Sequence, residues 1–209
     1  MYRMFGYGED ALTFWALRNR LSDILKQLKD QTALPDCLVF FRPSFGRRGG
    51  AGSAEFGEFD AILAASKNAY LIESKWDGLR RWDARARILL GEAQKLRHQV
   101  FSWYLMHWDP EYSSDWKRFK EDHNTEFQNR FGKNVARAGR LLSRNLEFVL
   151  TKINKHCSRL KPENIKNVIL FFYNQERNSS PPSTAPDDFS MVPLDYSNVI
   201  EGHFVVFEK

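Results

Sequence analysis

Apolar positions recur three or four residues apart at Phe14, Leu17, Leu21, Ile24 and Leu28, one stripe that predicts an amphipathic helix over residues 9–28. After Pro35, residues 37–41 form a short β-prone run, and 45–53 are a loop rich in glycine and arginine. Residues 56–64 and 69–74 read as two strands joined through Ser66, Lys67 and Asn68, the pattern of a hairpin. A second helix is predicted over 85–107 from Ile88, Leu89, Leu96, Val100, Phe101 and Tyr104, with Asp109-Pro110 as its stop. Residues 111–160 continue in helical pattern, with apolar positions from Phe127 to Ile153. The run Val168–Tyr173 is apolar throughout, as in a strand buried on both faces. Residues 178–186 form a Ser/Pro-rich loop, and 203–207 read as a last strand. The order predicts an α/β fold in a single domain over 1–209. Its centre is a mixed sheet of about five strands flanked by helices, and a helical insertion over about 111–161 precedes the fourth strand.

Composition adds partner and compartment. The chain has 209 residues, 43% hydrophobic and 27% charged, enough to bury a core without a disulfide or metal staple. Cys37 and Cys157 are its two cysteines, too few for a disulfide framework or a zinc module. The longest apolar run is too short to cross a bilayer, and residues 1–10 lack a secretory pattern. The expectation is a cytoplasmic protein with no membrane partner. The net charge of +5 is unevenly spread: about twelve basic against about four acidic residues over 117–161, and about three against about seven from 162 onward. Such a field favours polyanions, although a solvated helical surface gives the same count.

The chemistry concentrates in Phe56-Gly57-Glu58-Phe59-Asp60-Ala61-Ile62 and Tyr70-Leu71-Ile72-Glu73-Ser74-Lys75. Charged groups are expensive inside buried strands, yet Asp60 interrupts one strand pattern and Glu73 and Lys75 close its partner. Residues two apart share a face, so Glu73 pairs with Lys75 and Glu58 with Asp60. A hairpin that joins those faces brings up to three carboxylates and one ammonium to one sheet end. Carboxylates that close repel unless a cation lies between them, and Mg²⁺ takes one or two carboxylates with phosphate oxygens. A neighbouring lysine orients water and offsets charge on a phosphorane. The competing account is an exposed cross-strand ion pair of Glu73 and Lys75.

Asp60, twelve intervening residues, then Glu73-Ser74-Lys75 resembles the PD-(D/E)XK nuclease superfamily, with its restriction-endonuclease-like fold. The resemblance covers residues 9 to about 107 and, more loosely, the strand at Val168. It implies an Mg²⁺-dependent endonuclease, with Mn²⁺ able to substitute, acting on DNA in restriction, repair or phage defence. Asp60 and Glu73 would be metal ligands, the carbonyl of Ser74 would complete the set, and Lys75 would be the catalytic lysine. Glu9 matches the acid that many members carry on the first helix, with Asp10 second; both also suit a helix N-terminus without any metal. Glu58 is a further candidate ligand.

Phe59 stands where the pattern has proline, and the literal Pro35-Asp36 opens the preceding strand as a decoy. Gln94 matches the glutamine that some branches place near the metal, without the usual spacing to Tyr104. Arg47 and Arg48 in the glycine-rich loop, and Arg80 and Arg81 after the lysine, are candidate phosphate contacts, each with an ordinary surface role as the rival account. The five histidines show no ligand spacing, and Trp76, Trp82, Trp103, Trp108 and Trp116 read as core. A homodimer would suit paired strand cutting. The alternative is a nucleic-acid-binding or assembly protein that keeps the fold without turnover, and an RNA-directed enzyme is a third reading.

Overall fold

The computed structural model describes residues 2–46, 53–78, 85–112, 115–157 and 160–208. Its strands are β1 (Arg3–Tyr7), β2 (Leu38–Phe41), β3 (Ser44–Phe45), β4 (Gly57–Glu58), β5 (Ala61–Ala64), β6 (Ala69–Trp76), β7 (Ile165–Tyr173), β8 (Phe189–Asp195), β9 (Ile200–Glu201) and β10 (Phe204–Glu208). Its α-helices are α1 (Gly8–Asn19), α2 (Leu21–Gln27), α3 (Glu92–His107), α4 (Trp116–Phe131) and α5 (Leu141–His156).

The central sheet has the order β2-β5-β6-β7-β8. Pairs β2–β5 and β5–β6 are antiparallel, whereas β6–β7 and β7–β8 are parallel, so the sheet is mixed. The expected α/β class, five-stranded mixed sheet and helical insertion before the fourth strand are all present.

Alternation along the strands sends side chains to two cores. Ala61, Leu63, Tyr70 and Ile72 face α1 and α2, where Leu12, Trp15, Ala16 and Ile24 cover them, with β10 adding Val205 and Phe207. Ile62, Ala64, Ala69 and Leu71 face the other way, onto Val100, Phe101, Leu146 and Leu150 of α3 and α5. Trp103, Trp108 and Trp116 are buried in this second core, as expected from the sequence. The insertion is tied to the body by Lys133, whose Nζ donates to the carbonyls of Ser53 (3.2 Å) and Glu55 (3.0 Å).

Several boundaries differ from the periodicity. The first helix divides at Arg20, whose backbone leaves the helical region (φ −124°, ψ 15°) and whose guanidinium pairs with Asp23 at 2.5 Å. Its buried face is Leu12, Trp15, Ala16 and Leu17, while Phe14 is partly exposed against Phe41 and Phe207. The strand expected over 56–64 is two strands. β4 pairs with β3 and β5 with β2, and between them Phe59 turns into the core. Opposite this interruption, between β2 and β3, stands Pro43, which has no N–H to give to the ladder; its carbonyl accepts from Phe59 N at 3.2 Å.

The helix expected from 85 starts at Glu92, because Ile88 and Leu90 are used against Ile169 and Phe171 of β7. The helical pattern of 111–160 breaks at Gly132, whose φ of +63° caps α4. Pro35-Asp36 lies in a 3₁₀ turn before β2, away from the strand hairpin. Strand β8 escapes the pattern because Pro193 demotes the run, which an edge strand tolerates. Among the described residues no helix is long and apolar enough to cross a membrane.

Candidate active site

The hairpin β5–β6 has the register Ala61↔Ile72, so Asp60, one step before β5, falls opposite Glu73. The bend at residues 59–60 frees the Asp60 side chain from strand pairing, and its Oδ2 accepts the Ser74 N–H at 2.7 Å. Lys75 Nζ donates to the Ser74 carbonyl at 2.8 Å. Ser74 itself faces α1, where its Oγ lies 2.6 Å from Thr13 Oγ1. Glu9 sits in the first turn of α1, directly after Gly8, whose φ of +76° turns the chain out of β1 into the helix.

Glu9 is pushed up to about 7, by burial first and by the charges of Asp60, Glu73 and Asp10, against the opposing pull of Lys75. Burial raises Asp60 to about 6, with Glu73 adding to the rise and the Ser74 N–H, Lys75 and Arg97 working against it. Glu9 therefore senses Asp60 and Glu73, Asp60 senses Glu73, and Lys75 is the cation common to all three.

Glu73 is treated differently. It is 2% exposed and fully gripped by α3. Oε1 accepts from Arg97 Nη2 at 2.6 Å and lies 3.2 Å from His98 Nε2, and Oε2 accepts from Gln94 Nε2 at 2.8 Å. Burial alone would raise this carboxyl, but the His98 hydrogen bond and the charges of Arg97, His98 and Lys75 outweigh it and hold Glu73 below the usual carboxylate range. The grip is itself positioned. Gln94 Oε1 accepts from the Gly91 N–H at 3.1 Å, Arg97 also donates to the Glu58 carbonyl, and His98 Nδ1 lies 2.8 Å from Asn167 Oδ1 on β7.

The sequence-derived residues thus divide. Asp60, Glu73, Ser74, Lys75 and Glu9 gather at one end of the sheet, and Gln94 joins them through Glu73. The Glu58 carboxylate does not. Its Oε1 accepts from Arg42 Nε at 2.8 Å, and the same guanidinium reaches Asp10. The strand ladder is interrupted at residues 59–60: Glu58 ends β4 in the small β3–β4 ribbon, and its carboxylate is taken by Arg42. Arg47, Arg48, Arg80, Arg81 and Trp82 lie outside the described residues.

Arg97 and His98 are functional neighbours that the sequence reading passed over. Their signal was the spacing Gln94, Arg97, His98, Phe101 at i, i+3, i+4 and i+7, one face of a helix with three polar members directed at the sheet.

The donor set suits a hard divalent cation such as Mg²⁺. It is all oxygen: the Glu9 and Asp60 carboxylates, the second lone pair of the Ser74 carbonyl and one lone pair of Glu73 Oε2, since a carboxylate offers about four. Comparison of the chain with protein-family models, with curated proteins and with solved structures gives no match in any of the three.

Proposed function

We propose that the protein is a divalent-metal-dependent nuclease of the PD-(D/E)XK type on a restriction-endonuclease-like core, hydrolysing phosphodiester bonds of DNA. One observation carries the reading: two acids from separate elements, Glu9 and Asp60, stand near Glu73 and are both raised, by burial first and by neighbouring carboxylate charge after it, with Lys75 among them. Such a cluster gains most from a cation. The mixed sheet and the position of the D-x(12)-E-x-K residues on its central hairpin support the same assignment.

A bound Mg²⁺ ion supplies Lewis acidity and lowers the pKa of its water. Glu9, Asp60 and the Ser74 carbonyl would hold it. Lys75 has three N–H donors; one serves Ser74, and the others remain to orient the attacking water and to meet negative charge on the phosphate oxygens. Gln94, Arg97 and His98 fix the Glu73 carboxylate so that its free lone pair keeps one direction.

The second reading, a nucleic-acid-binding protein without turnover, draws on the buried Arg97–Glu73 pair, which already neutralises one of the acids. Plasmid and single-stranded DNA, and RNA in parallel, offered with Mg²⁺ or Mn²⁺, separate the two. The wild type is expected to cleave DNA, and Asp60→Ala and Lys75→Ala to lose at least 100-fold in rate (about 3 kcal/mol of barrier) with unchanged circular dichroism. Cleavage equal in wild type and both variants overturns the assignment. Salt-sensitive DNA binding with no cleavage by the wild type establishes the second reading.

A further inference from the structure

A second cluster of ligating side chains lies outside the carboxylate site, where the end of α3 meets α4. His107 closes α3, and His123 and Glu126, three apart, share one face of α4. One ligand atom from each of the three lies within 4.8 Å of the other two. His107 Nε2 and Glu126 Oε1 are 3.5 Å apart. A tetrahedral zinc with bonds of about 2.0–2.2 Å has ligand atoms roughly 3.4 Å apart, so that pair already spans one edge.

The surroundings orient all three. His107 Nδ1 donates to the Trp103 carbonyl at 2.8 Å, which leaves the lone pair of the ring on Nε2. His123 Nε2 lies 3.3 Å from Tyr112 Oη, and that phenol donates its own proton to Asp122 at 2.9 Å. His123 therefore donates at Nε2 and keeps a lone pair on its other nitrogen. Trp103 Nε1 donates to Glu126 Oε1 at 2.8 Å. Aromatic packing locks the rings: His107 stacks on Trp103 with centroids 4.2 Å apart, and His123 lies 4.9 Å from Phe119.

We infer that His107, His123 and Glu126 form a binding site for Zn²⁺, which clamps the C-terminal turn of α3 to α4. Two imidazoles and one carboxylate select a borderline metal over Mg²⁺, which prefers oxygen donors alone. His107 and His123 also line a cleft with Trp108, Asp109, Tyr112 and Asn154, from which water would supply a fourth ligand. This site is separate from the proposed nuclease centre and stands or falls independently of it.

Calorimetric titration of the chelator-stripped 209-residue chain with Zn²⁺ tests the inference. Wild type and Asp60→Asn are expected to bind one Zn²⁺ at this site with equal affinity. His107→Ala and Glu126→Gln are each expected to weaken it at least tenfold. Glu126→Gln keeps a carbonyl oxygen for the Trp103 N–H, so it guards against a loss that reflects misfolding. A histidine pair whose imidazole NMR signals shift together in wild type on adding Zn²⁺, and not in Glu126→Gln, is the matching spectroscopic result. Unchanged affinity in His107→Ala and Glu126→Gln, or no stoichiometric binding by wild type, overturns it.

Discussion

Asp60 carries two opposed duties. As a carboxylate it accepts the Ser74 N–H, and as a half-buried charge beside Glu73 it is strained electrostatically. Its folded pKa of about 6 lies above the ordinary value of 3.8, so the folded chain holds the proton more tightly than the unfolded one. Stability from this group is therefore complete below about pH 4 and falls as pH rises through 6. Glu9, at about 7, acts in the same direction over a slightly higher window. Asp60→Asn retains an oxygen for the Ser74 N–H and removes the charge. Without divalent metal it is expected to be more stable than wild type at pH 8, on the order of 2 kcal/mol, and nearly equal to it at pH 4. Thermal denaturation at the two pH values checks this, and equal melting temperatures at pH 8 would contradict it. An acid that lowers stability is the signature of a group retained for something other than folding.

The elements have separable tasks. The hairpin β5–β6 supplies Asp60, Glu73 and Lys75, α1 supplies Glu9, and α3 holds Glu73 in place. Removing Arg97 leaves a buried carboxylate short of its main cation, and Arg97→Ala is expected to cost about 3–5 kcal/mol. Adding Glu73→Gln should restore part of that loss, since the orphaned charge goes with it. Chemical denaturation of the single and double variants measures the coupling, and strictly additive losses would refute it.

At this scale much was legible in the sequence. The hairpin turn at Ser66–Asn68, the second buried strand and the convergence of Asp60, Glu73 and Lys75 follow from two-residue alternation and from the improbability of charge in a buried strand. What was not legible has local causes. Pro43 lies where a strand that reads as continuous is interrupted, and the Glu58 carboxylate goes to Arg42. Ile88 and Leu89 look helical, yet Ile88 and Leu90 cover β7 and Leu89 is exposed, and Pro193 hides an edge strand. The spacing of Gln94, Arg97 and His98 marks a polar helix face, but its grip on Glu73 was not legible, because a helix register alone does not say which strand residue lies beneath it.

For the whole molecule, the uneven charge of the chain becomes a distribution in space. Arg137, Arg140 and Arg144 lie exposed around the start of α5, in the basic insertion between the third and fourth strands of the sheet. With them intact, DNA affinity should fall steeply with added salt, because each phosphate contact releases counterions. Replacing all three by alanine is expected to lower the slope of log affinity against log salt by about 3 and to leave the melting temperature unchanged. A slope equal to that of wild type would place the DNA on another face.

The central claim is that a divalent ion joins Glu9 and Asp60 at the end of the β5–β6 hairpin. Anomalous diffraction from crystals grown with Mn²⁺ tests it directly. The account predicts a manganese peak within bonding distance of Glu9 and Asp60 carboxylate oxygens and of the Ser74 carbonyl. Crystals soaked to saturation whose only peaks lie elsewhere, with Asp60 still bonded to the Ser74 N–H, would contradict it.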